Sequence, residues 1–295
     1  LSRYGTLPLK EIIAPAIVLA EHGYPVTHLQ HKMTARYQKI LAENTAGRFF
    51  LGANGKLLSR GSRFRQSILA RTLRRLGEVG LLDFYRGGIA KEIVDDMVRH
   101  GGYLRAEDLA EAQRITETKP LAAQFLEADL LTMHPPGGGI ALIEMLNLFA
   151  ALRGSKFDPD NPTSAALFAA IIRKTRADRK KYRLKVGAES IDRAADLLSE
   201  DYAYTAAHRI ASSLAPDGGT SHISVLDRHG NAVSLTQSLD RDFGAAVVNP
   251  ELGFLFNDYM NTFNLHNPRH PHYLRPGAKA RSNAAPSLLL KDGKP

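Results

Sequence analysis

The sequence predicts an α+β protein, and three observations carry that reading. Helical periodicity runs through most of residues 1 to about 214. Alternation of apolar and polar residues takes over from Thr220 onward. One strand pair interrupts the helical part, in "ITETKPLAAQFLEADLLTMHPP". Helices first, an antiparallel sheet later and a strand pair upstream make the α+β class.

The elements follow in order. "PLKEIIAPAIVLAEHG" has apolar residues at helical spacing and stops at His22-Gly23, a C-terminal stop signal. "THLQHKMTARYQKILAEN" is a second helix with Thr27 as its cap. "ANGKLL" carries an Asn-Gly turn. "RFRQSILARTLRRLGEVG" reads as a basic amphipathic helix ending at a glycine, and "DFYRGGIAKEIVDDMVRHGG" as another, closed by Gly101-Gly102. "RAEDLAEAQ" is one short helix. After the strand pair, Gly137, Gly138 and Gly139 lead into a buried helix at 140 to 153. "NPTSAALFAAIIRKTRADRKKYRL" is a long helix after an Asn-Pro turn, and "SIDRAADLLSEDYAYTAAHRIASSL" holds two shorter ones. "SHISVLD", a turn at "RHGN" and "AVSLTQS" form a hairpin. "AAVVNPELGFLFND" predicts two more short strands around Pro250 to Gly253, "HNPRHPHYLRPGAK" a loop, and "PSLLLKDGKP" a last strand entering an Asp-Gly turn.

Composition narrows the function classes. Hydrophobic content of 44% and charged content of 23% fit a globular chain with a real core. No run approaches the roughly 18 apolar residues of a membrane span. Cysteine is absent, which excludes disulfides, thiolate metal sites and a cysteine nucleophile. Net charge is +9, from 39 Lys+Arg against 30 Asp+Glu, clustered in "SRGSRFRQSILARTLRR" and "RKTRADRKKYR". Both clusters fall on helical patterns, where charges form a solvated face; they lack aromatic interleaving, so nucleic acid is not the expected partner. The chain opens without a methionine and stops at "LLLKDGKP", which reads as a piece of a longer protein.

The stretch "APDGGTSHISVLDRHGNAVSLTQS" bears on chemistry. Amide cleavage needs a nucleophile, a base and donors for the oxyanion. An N-terminal threonine supplies the first two: its hydroxyl attacks, and its α-amino group, unperturbed near pKa ~7.7–8, takes the proton. Such a residue must be created by cutting the bond before it. Gly219 leaves that carbonyl uncrowded and tolerates strained backbone angles. "GG|TSH" thus has the composition that self-cleavage requires, although Gly-Gly-Thr alone is a common tripeptide.

The surrounding motifs are specific. Thr220-Ser221-His222-Ile223-Ser224-Val225, then Gly230-Asn231-Ala232-Val233-Ser234-Leu235-Thr236, then Phe243-Gly244, closely resemble the small-subunit start of the γ-glutamyltranspeptidase family of N-terminal nucleophile hydrolases. "GTLPLKEIIAPAIVLAEHGYPV", "DFYRGGIAKEIVDDMVRHGGYLRAEDLAEAQ" and "TMHPPGGGIALIEMLNL" resemble successive large-subunit segments in the right order. The resemblance covers essentially the whole chain.

That resemblance implies an αββα sandwich, incomplete here, with residues 1–219 as a mostly helical large-subunit portion and 220–295 as the β-rich start of the small subunit, together one intertwined domain. It implies self-cleavage between Gly219 and Thr220, then attack of Thr220 on a γ-glutamyl amide such as glutathione. The acyl group passes to water or an amino acid. Ser238 falls where a second threonine supports the nucleophile. Asp240 stands where asparagine or glutamate is usual near the substrate's α-carboxylate. Tyr259 and Thr262 fall where a glutamine and an aspartate are typical, that aspartate receiving the α-ammonium. Ser282 and Asn283 align with a Ser-Ser pair that grips the α-carboxylate. The family's substrate-gripping arginine is expected upstream of residue 1 and its oxyanion Gly-Gly downstream of Pro295, so the isolated piece is expected to turn over little. No cofactor and no metal are implied. The processed subunits are expected to stay associated, and a periplasmic or secreted setting is favoured, with the cytoplasm still open.

Two further readings stand beside this one: an acylase of the same family whose pocket takes glutaryl-like side chains, and a non-catalytic relative that retains only the fold. Elsewhere, His222 is expected to be a structural hydrogen-bonding residue, and His270 and His272 surface residues rather than a metal site. "HPPGGGI" lacks the Gly-Lys-Ser/Thr of a phosphate loop and is expected to pack helix against sheet. Asp95-Asp96 and Glu107-Asp108 read as exposed helical carboxylates.

Overall fold

The computed structural model describes residues 4–112, 117–152, 160–181, 194–207 and 220–295. The chain divides into two compact units, Leu1–Glu117 with Asp242–Asn257, and Thr118–Arg241 with Asp258–Pro295. Both mix helix and strand, as the α+β expectation requires.

In the first unit, α1 (Leu9–His22) ends where Gly23 takes φ 76°, in the left-handed region. A Cβ there would lie 2.5 Å from the Phe64 carbonyl oxygen, so the close pairing of β1 (Tyr24–Pro25) with β2 (Arg63–Phe64) needs glycine. Thr27 caps α2 (His28–Ala42), accepting from the Gln30 amide at 3.1 Å, as expected from sequence. The short α3 (Gly47–Phe50) and α4 (Ser67–Val79) follow.

The helix expected across 83–102 is two helices, α5 (Leu82–Arg86) and α6 (Gly88–Arg99), and one carboxylate explains the break. Asp83, buried at 5% exposure, accepts from Arg75 Nε at 2.5 Å and Nη2 at 3.1 Å, and from the Gly88 amide at 2.7 Å. It therefore caps the start of α6 while anchoring α4. A Cβ on Gly87 would sit 2.2 Å from Asp83 Oδ1, so the carboxylate occupies the space a continued helix needs. The Arg75 hydrogen bond holds the Asp83 carboxyl below its ordinary value, against the opposing effect of burial. Asp96, expected exposed, is 4% exposed and pairs with His100 Nδ1 at 3.2 Å. The short α7 (Ala106–Ala112) packs Leu109 against Ile89 and Ile93.

The two strands expected in "AAVVNPELGFLFND" are absent. Only a bridge between Val248 and Leu255 forms. Asn249, fully buried, accepts from the Glu251 and Leu252 amides at 2.9 Å each, and turns the chain instead. Phe256 keeps two backbone bonds to the opposite arm, its amide donating to Val247 O and its carbonyl accepting from Ala245 N, both at 3.0 Å, and other backbone groups go to side chains. Thr45 Oγ1 accepts from Val248 N at 2.8 Å and donates to Val248 O at 2.9 Å, and Thr72 Oγ1 donates to Leu252 O at 2.8 Å. Val248 and Ala246 join a core with Leu41 and Leu51, while Leu252 joins Ile89 and Ile93.

In the second unit, β3 (Leu121–Phe125), β4 (Ala128–Thr132) and β7 (Ser287–Leu290) form an antiparallel sheet in the order β3-β4-β7. α8 (Gly139–Leu152) covers it, burying Ile140 and Ile143 against Leu121 and Leu130. α9 (Pro162–Lys181) and α10 (Glu200–Ala207) pack on α8 through Leu148, Ile171 and Ala203. β5 (Thr220–Leu226) and β6 (Ala232–Ser238) form the expected hairpin. β6 meets β7 where Ser287 N donates to Ser234 Oγ at 2.9 Å.

The basic cluster expected to be a solvated face of α9 turns partly inward. Lys174 and Tyr202 both bond the Asp178 carboxylate, Tyr202 Oη at 2.5 Å. Glu144, 1% exposed, completes this group from α8. Burial, then the hydrogen bond and charge of Asp178, push Glu144 up to about 9, with Lys174 opposing. Burial also acts to raise Asp178, but hydrogen bonds from Glu144, Lys174 and Tyr202 outweigh it and hold Asp178 below its ordinary value. The pair therefore carries one proton near neutral pH, on Glu144.

Two predictions follow from these carboxylates. Asp83→Ala should destabilise the chain by about 2 kcal/mol and speed hydrogen exchange at the Gly88 amide; unchanged exchange there contradicts its capping role. Glu144 is raised in the folded state, so its contribution is full below its unfolded value and is lost as pH rises toward about 9. Glu144→Gln, which fixes the neutral form, should match wild type below pH ~4 and gain on it by at most about 1.4 kcal/mol per pH unit as pH rises toward about 9, read from melting curves across that range.

Candidate active site

The register of the β5–β6 hairpin builds the site. Its Cα partners run from Thr220↔Ser238 through His222↔Thr236 and Ser224↔Ser234 to Leu226↔Ala232. Because side chains alternate, the first three of these pairs, all polar, share one face with Leu226↔Ala232, while Ser221↔Gln237, Ile223↔Leu235 and Val225↔Val233 occupy the other. The turn that sets this register is held by Asp227, which accepts from the His229 and Asn231 amides at 2.8 and 2.9 Å. The Asn231 side chain is the largest of the hydrogen bonds that keep the Asp227 carboxyl below its ordinary value.

Thr220 and Ser238 thus lie opposite one another at the open end of the hairpin. Thr220 Oγ1 donates to Ser238 Oγ at 3.3 Å, and the Asp240 amide donates to the same oxygen at 3.0 Å. Asp240 takes φ 74°, a left-handed turn that directs the chain away from the hairpin. His222 bonds Thr236 Oγ1 at 2.8 Å and Ser224 Oγ at 3.0 Å, the hydrogen-bonding role expected of it.

A cavity of about 280 Å³ opens beside Thr220, lined also by Ser238, Asp240, Tyr259, Thr262, Ser282 and Asn283. Every site residue anticipated from sequence is therefore brought together, except Gly219, which lies outside the described residues. Their contacts are specific. Asp240 Oδ2 accepts from Asn261 Nδ2 at 3.1 Å. Tyr259 and Thr262 sit on one 3-10 turn, Tyr259–Thr262. The Thr262 hydroxyl donates back to the Tyr259 carbonyl at 2.7 Å. Tyr259 Oη lies 3.4 Å from Ser282 Oγ, and Ser282 Oγ accepts from the Ala284 amide at 3.1 Å.

Two arginines at this site were not singled out from the sequence. Arg281 lines the cavity. Arg179, from α9, reaches the segment behind it, donating to Asn283 Oδ1 at 3.0 Å, Ser282 O at 3.2 Å and Pro136 O at 3.3 Å. Arg281 is the residue before the anticipated Ser282-Asn283 pair, a signal that was available. Arg179 lies about a hundred residues upstream, in a cluster whose helical pattern suggested only solvent. Burial, with the charge of Arg281 second, lowers the Arg179 guanidinium to about 10. Burial, with Arg281, His270 and Arg179 adding, also lowers His272. The "HPPGGGI" turn seats the same segment. Gly138 N donates to Ala284 O at 2.8 Å, and a Cβ on Gly138 would lie 2.6 Å from Asn283 O.

A larger cavity, about 990 Å³, lies within the first unit beside Thr45, Arg48, Asp96, His100 and Phe256. The Thr45 hydroxyl there is engaged by both backbone groups of Val248, so size does not locate the reactive hydroxyl. No helix among the described residues is long and apolar enough to cross a membrane.

Comparison with known proteins agrees with this geometry. The whole chain, residues 1–295, matches the Gamma-glutamyltranspeptidase family. It is 28% identical to the glutathione hydrolase proenzyme of Escherichia coli (strain K12) over 100% of this chain and 55% of that protein. It is 30% identical to the acylase ACY 1 proenzyme of Pseudomonas sp. (strain SE83), over 100% and 54%. The crystal structure of cephalosporin acylase from Bacillus halodurans superposes with a TM-score of 0.82 at 30% identity, covering 100% of this chain and 56% of the other. That of Helicobacter pylori gamma-glutamyltranspeptidase gives 0.61 at 27% identity, over 73% and 62%. The chain thus spans about half the length of the curated relatives it matches. With the anticipated threonine, its hydroxyl partner and the pocket residues gathered around one cavity, and the match running over residues 1–295, the chain belongs to the γ-glutamyltranspeptidase family.

Proposed function

We propose that this chain carries the nucleophile of a self-cleaving amidase and acyltransferase that acts on γ-glutamyl amides such as glutathione. The observation that carries the reading is the Thr220 hydroxyl, hydrogen-bonded to Ser238 at 3.3 Å, at the edge of a 280 Å³ cavity.

The chemistry runs in two stages. In the precursor, Thr220 Oγ1 attacks the Gly219 carbonyl carbon and the peptide becomes an ester; water then hydrolyses the ester, leaving a Gly219 carboxylate and a free Thr220 amine. This cut divides a large-subunit portion, 1–219, from the start of the small subunit at 220, and the two remain associated. In the second stage the free amine takes the hydroxyl proton as Oγ1 attacks the substrate amide. The proton passes to the leaving amine, and the acyl group stays on Thr220 as an ester. Water or an amino acid then takes the acyl group. Ser238 fixes the rotamer of the attacking hydroxyl, and Asp240 N–H fixes Ser238.

One observation supports a second reading, an acylase for glutaryl-like side chains. Thr262 replaces the anticipated carboxylate, and its hydroxyl is turned to the Tyr259 carbonyl. A substrate ammonium finds no charge at that position, so a charge-assisted contact is missing.

The test uses the full-length protein. It should resolve into two chains on a denaturing gel, Thr220→Ala should remain one chain, and Thr220→Ser should still cut. A wild-type chain that stays whole on long incubation, indistinguishable from Thr220→Ala, contradicts the proposal and favours the non-catalytic relative. For the second reading, glutaryl anilide should be turned over within about ten-fold of γ-glutamyl anilide, because the lost ammonium contact was worth roughly 1.5–3 kcal/mol. A preference for γ-glutamyl anilide of about a hundred-fold or more removes the acylase reading.

A further inference from the structure

Two adjacent residues of α9 serve different neighbours. Asp178 turns into the core, where Lys174 and Tyr202 bond its carboxylate and Glu144 of α8 meets it. Arg179 reaches the segment before β7, donating to Asn283 Oδ1 at 3.0 Å, Ser282 O at 3.2 Å and Pro136 O at 3.3 Å. The helical turn that seats Asp178 therefore also aims Arg179.

The cavity wall at Ser282–Ala284 hangs on the same two helices. Pro136, in the turn before α8, accepts from Ser282 N at 3.2 Å as well as from Arg179, and Gly138 N donates to Ala284 O at 2.8 Å. The segment is thus held from one side by the turn that opens α8 and from the other by the last turn of α9. Inside the unit, Glu144 and Asp178 join those helices to each other.

That join depends on one proton. Among the described residues, Asp178 and Lys174 of α9 act on Glu144, and Tyr202 of α10 bonds both of them. The sheet beneath α8 presents only Leu121 and Leu130 to it, and the 3-10 turn at Asp196–Leu198 presents Leu197 and Leu198. Glu144 Oε1 is buried without a donor. With its proton on, Glu144 bonds Asp178 and ties α8 to α9. With the proton off, two buried carboxylates face each other across the same gap, and Lys174 is the cation left to offset both.

We propose that the Glu144–Asp178 contact is a proton-operated latch on the candidate site: closed, it seats the last turn of α9 so that Arg179 holds Ser282 and Asn283 against the turn before α8, and open, it loosens that wall of the cavity. Glu144 and Arg179 are positioning residues, with no contact to substrate assigned to either. The latch is closed near neutral pH and opens on the alkaline side. It regulates the cavity used in the acyl-transfer reading of Thr220, and rests on that reading for its consequence alone.

Alanine-methyl NMR of the full-length protein, titrated from pH ~6 to ~10, tests it. Ala203 packs with Leu148 beside Tyr202 and reports the latch, while Ala284 and Ala285 line the cavity and report the wall. In wild type all three methyls should shift in one step with a midpoint at about 9. In E144Q, which fixes the neutral form, all three should lose that step. In R179Q, Ala203 should keep it while Ala284 and Ala285 lose it, and R179K, which keeps the charge without the fork, should restore part of it. Residues that only stabilised the helices would not separate the two reporters. No such step at Ala284 and Ala285 in wild type, or one that persists there in E144Q or R179Q, overturns the proposal. Self-cleavage is scored on the same samples. A chain that stays uncut yet shows the linked step supports this inference and contradicts the reading of Thr220.

Discussion

The site depends on the register of one hairpin. Asp227 and Asn231 close a turn that pairs Leu226 with Ala232, and each step outward from it is then determined by the two-residue repeat of a strand. Six steps later Thr220 faces Ser238, and their hydroxyls meet. A slip of one residue would turn Thr220 to the face that carries Ile223 and Val225 and separate it from the cavity. The position of Thr220 is thus set some twenty ångströms away, by a carboxylate that accepts several local hydrogen bonds.

What surrounds the threonine is less symmetrical. Ser238 gives the Thr220 hydroxyl a hydroxyl partner. The recognition end has changed: Thr262 is neutral, and its hydroxyl is turned to a backbone carbonyl. Arg281 lines the same cavity, and Arg179 bonds Asn283 and Ser282. Among the relatives matched, some carry the name glutathione hydrolase and others acylase.

Local signals were legible in the sequence and distant ones were not. Thr27 caps α2, Gly23 ends α1, and the "RHGN" turn sets the hairpin, because each acts on neighbours within a few residues. Asp83 breaks a helix because Arg75 in another helix holds it, and no periodicity reports that. Asn249 turns the chain locally, while Thr45 and Thr72 take up its backbone groups from about 200 residues away in sequence, which no local pattern reports. Arg179 looked like one more basic residue on a solvated face, and only its contacts with residues 282 and 283 give it a role. The Thr220 hairpin was readable from its motif; the electrostatics of the cavity beside it arise from tertiary contacts.

If Thr220 becomes a chain terminus and carries the acyl group on its own hydroxyl, each event changes a mass. Intact-mass spectrometry of the full-length protein, after processing and a brief exposure to glutaryl anilide, measures both at once. The account predicts a smaller chain whose mass begins at Thr220, and a fraction of it heavier by one glutaryl group that maps to Thr220. An uncut chain, or an acyl group found on any other residue, contradicts it.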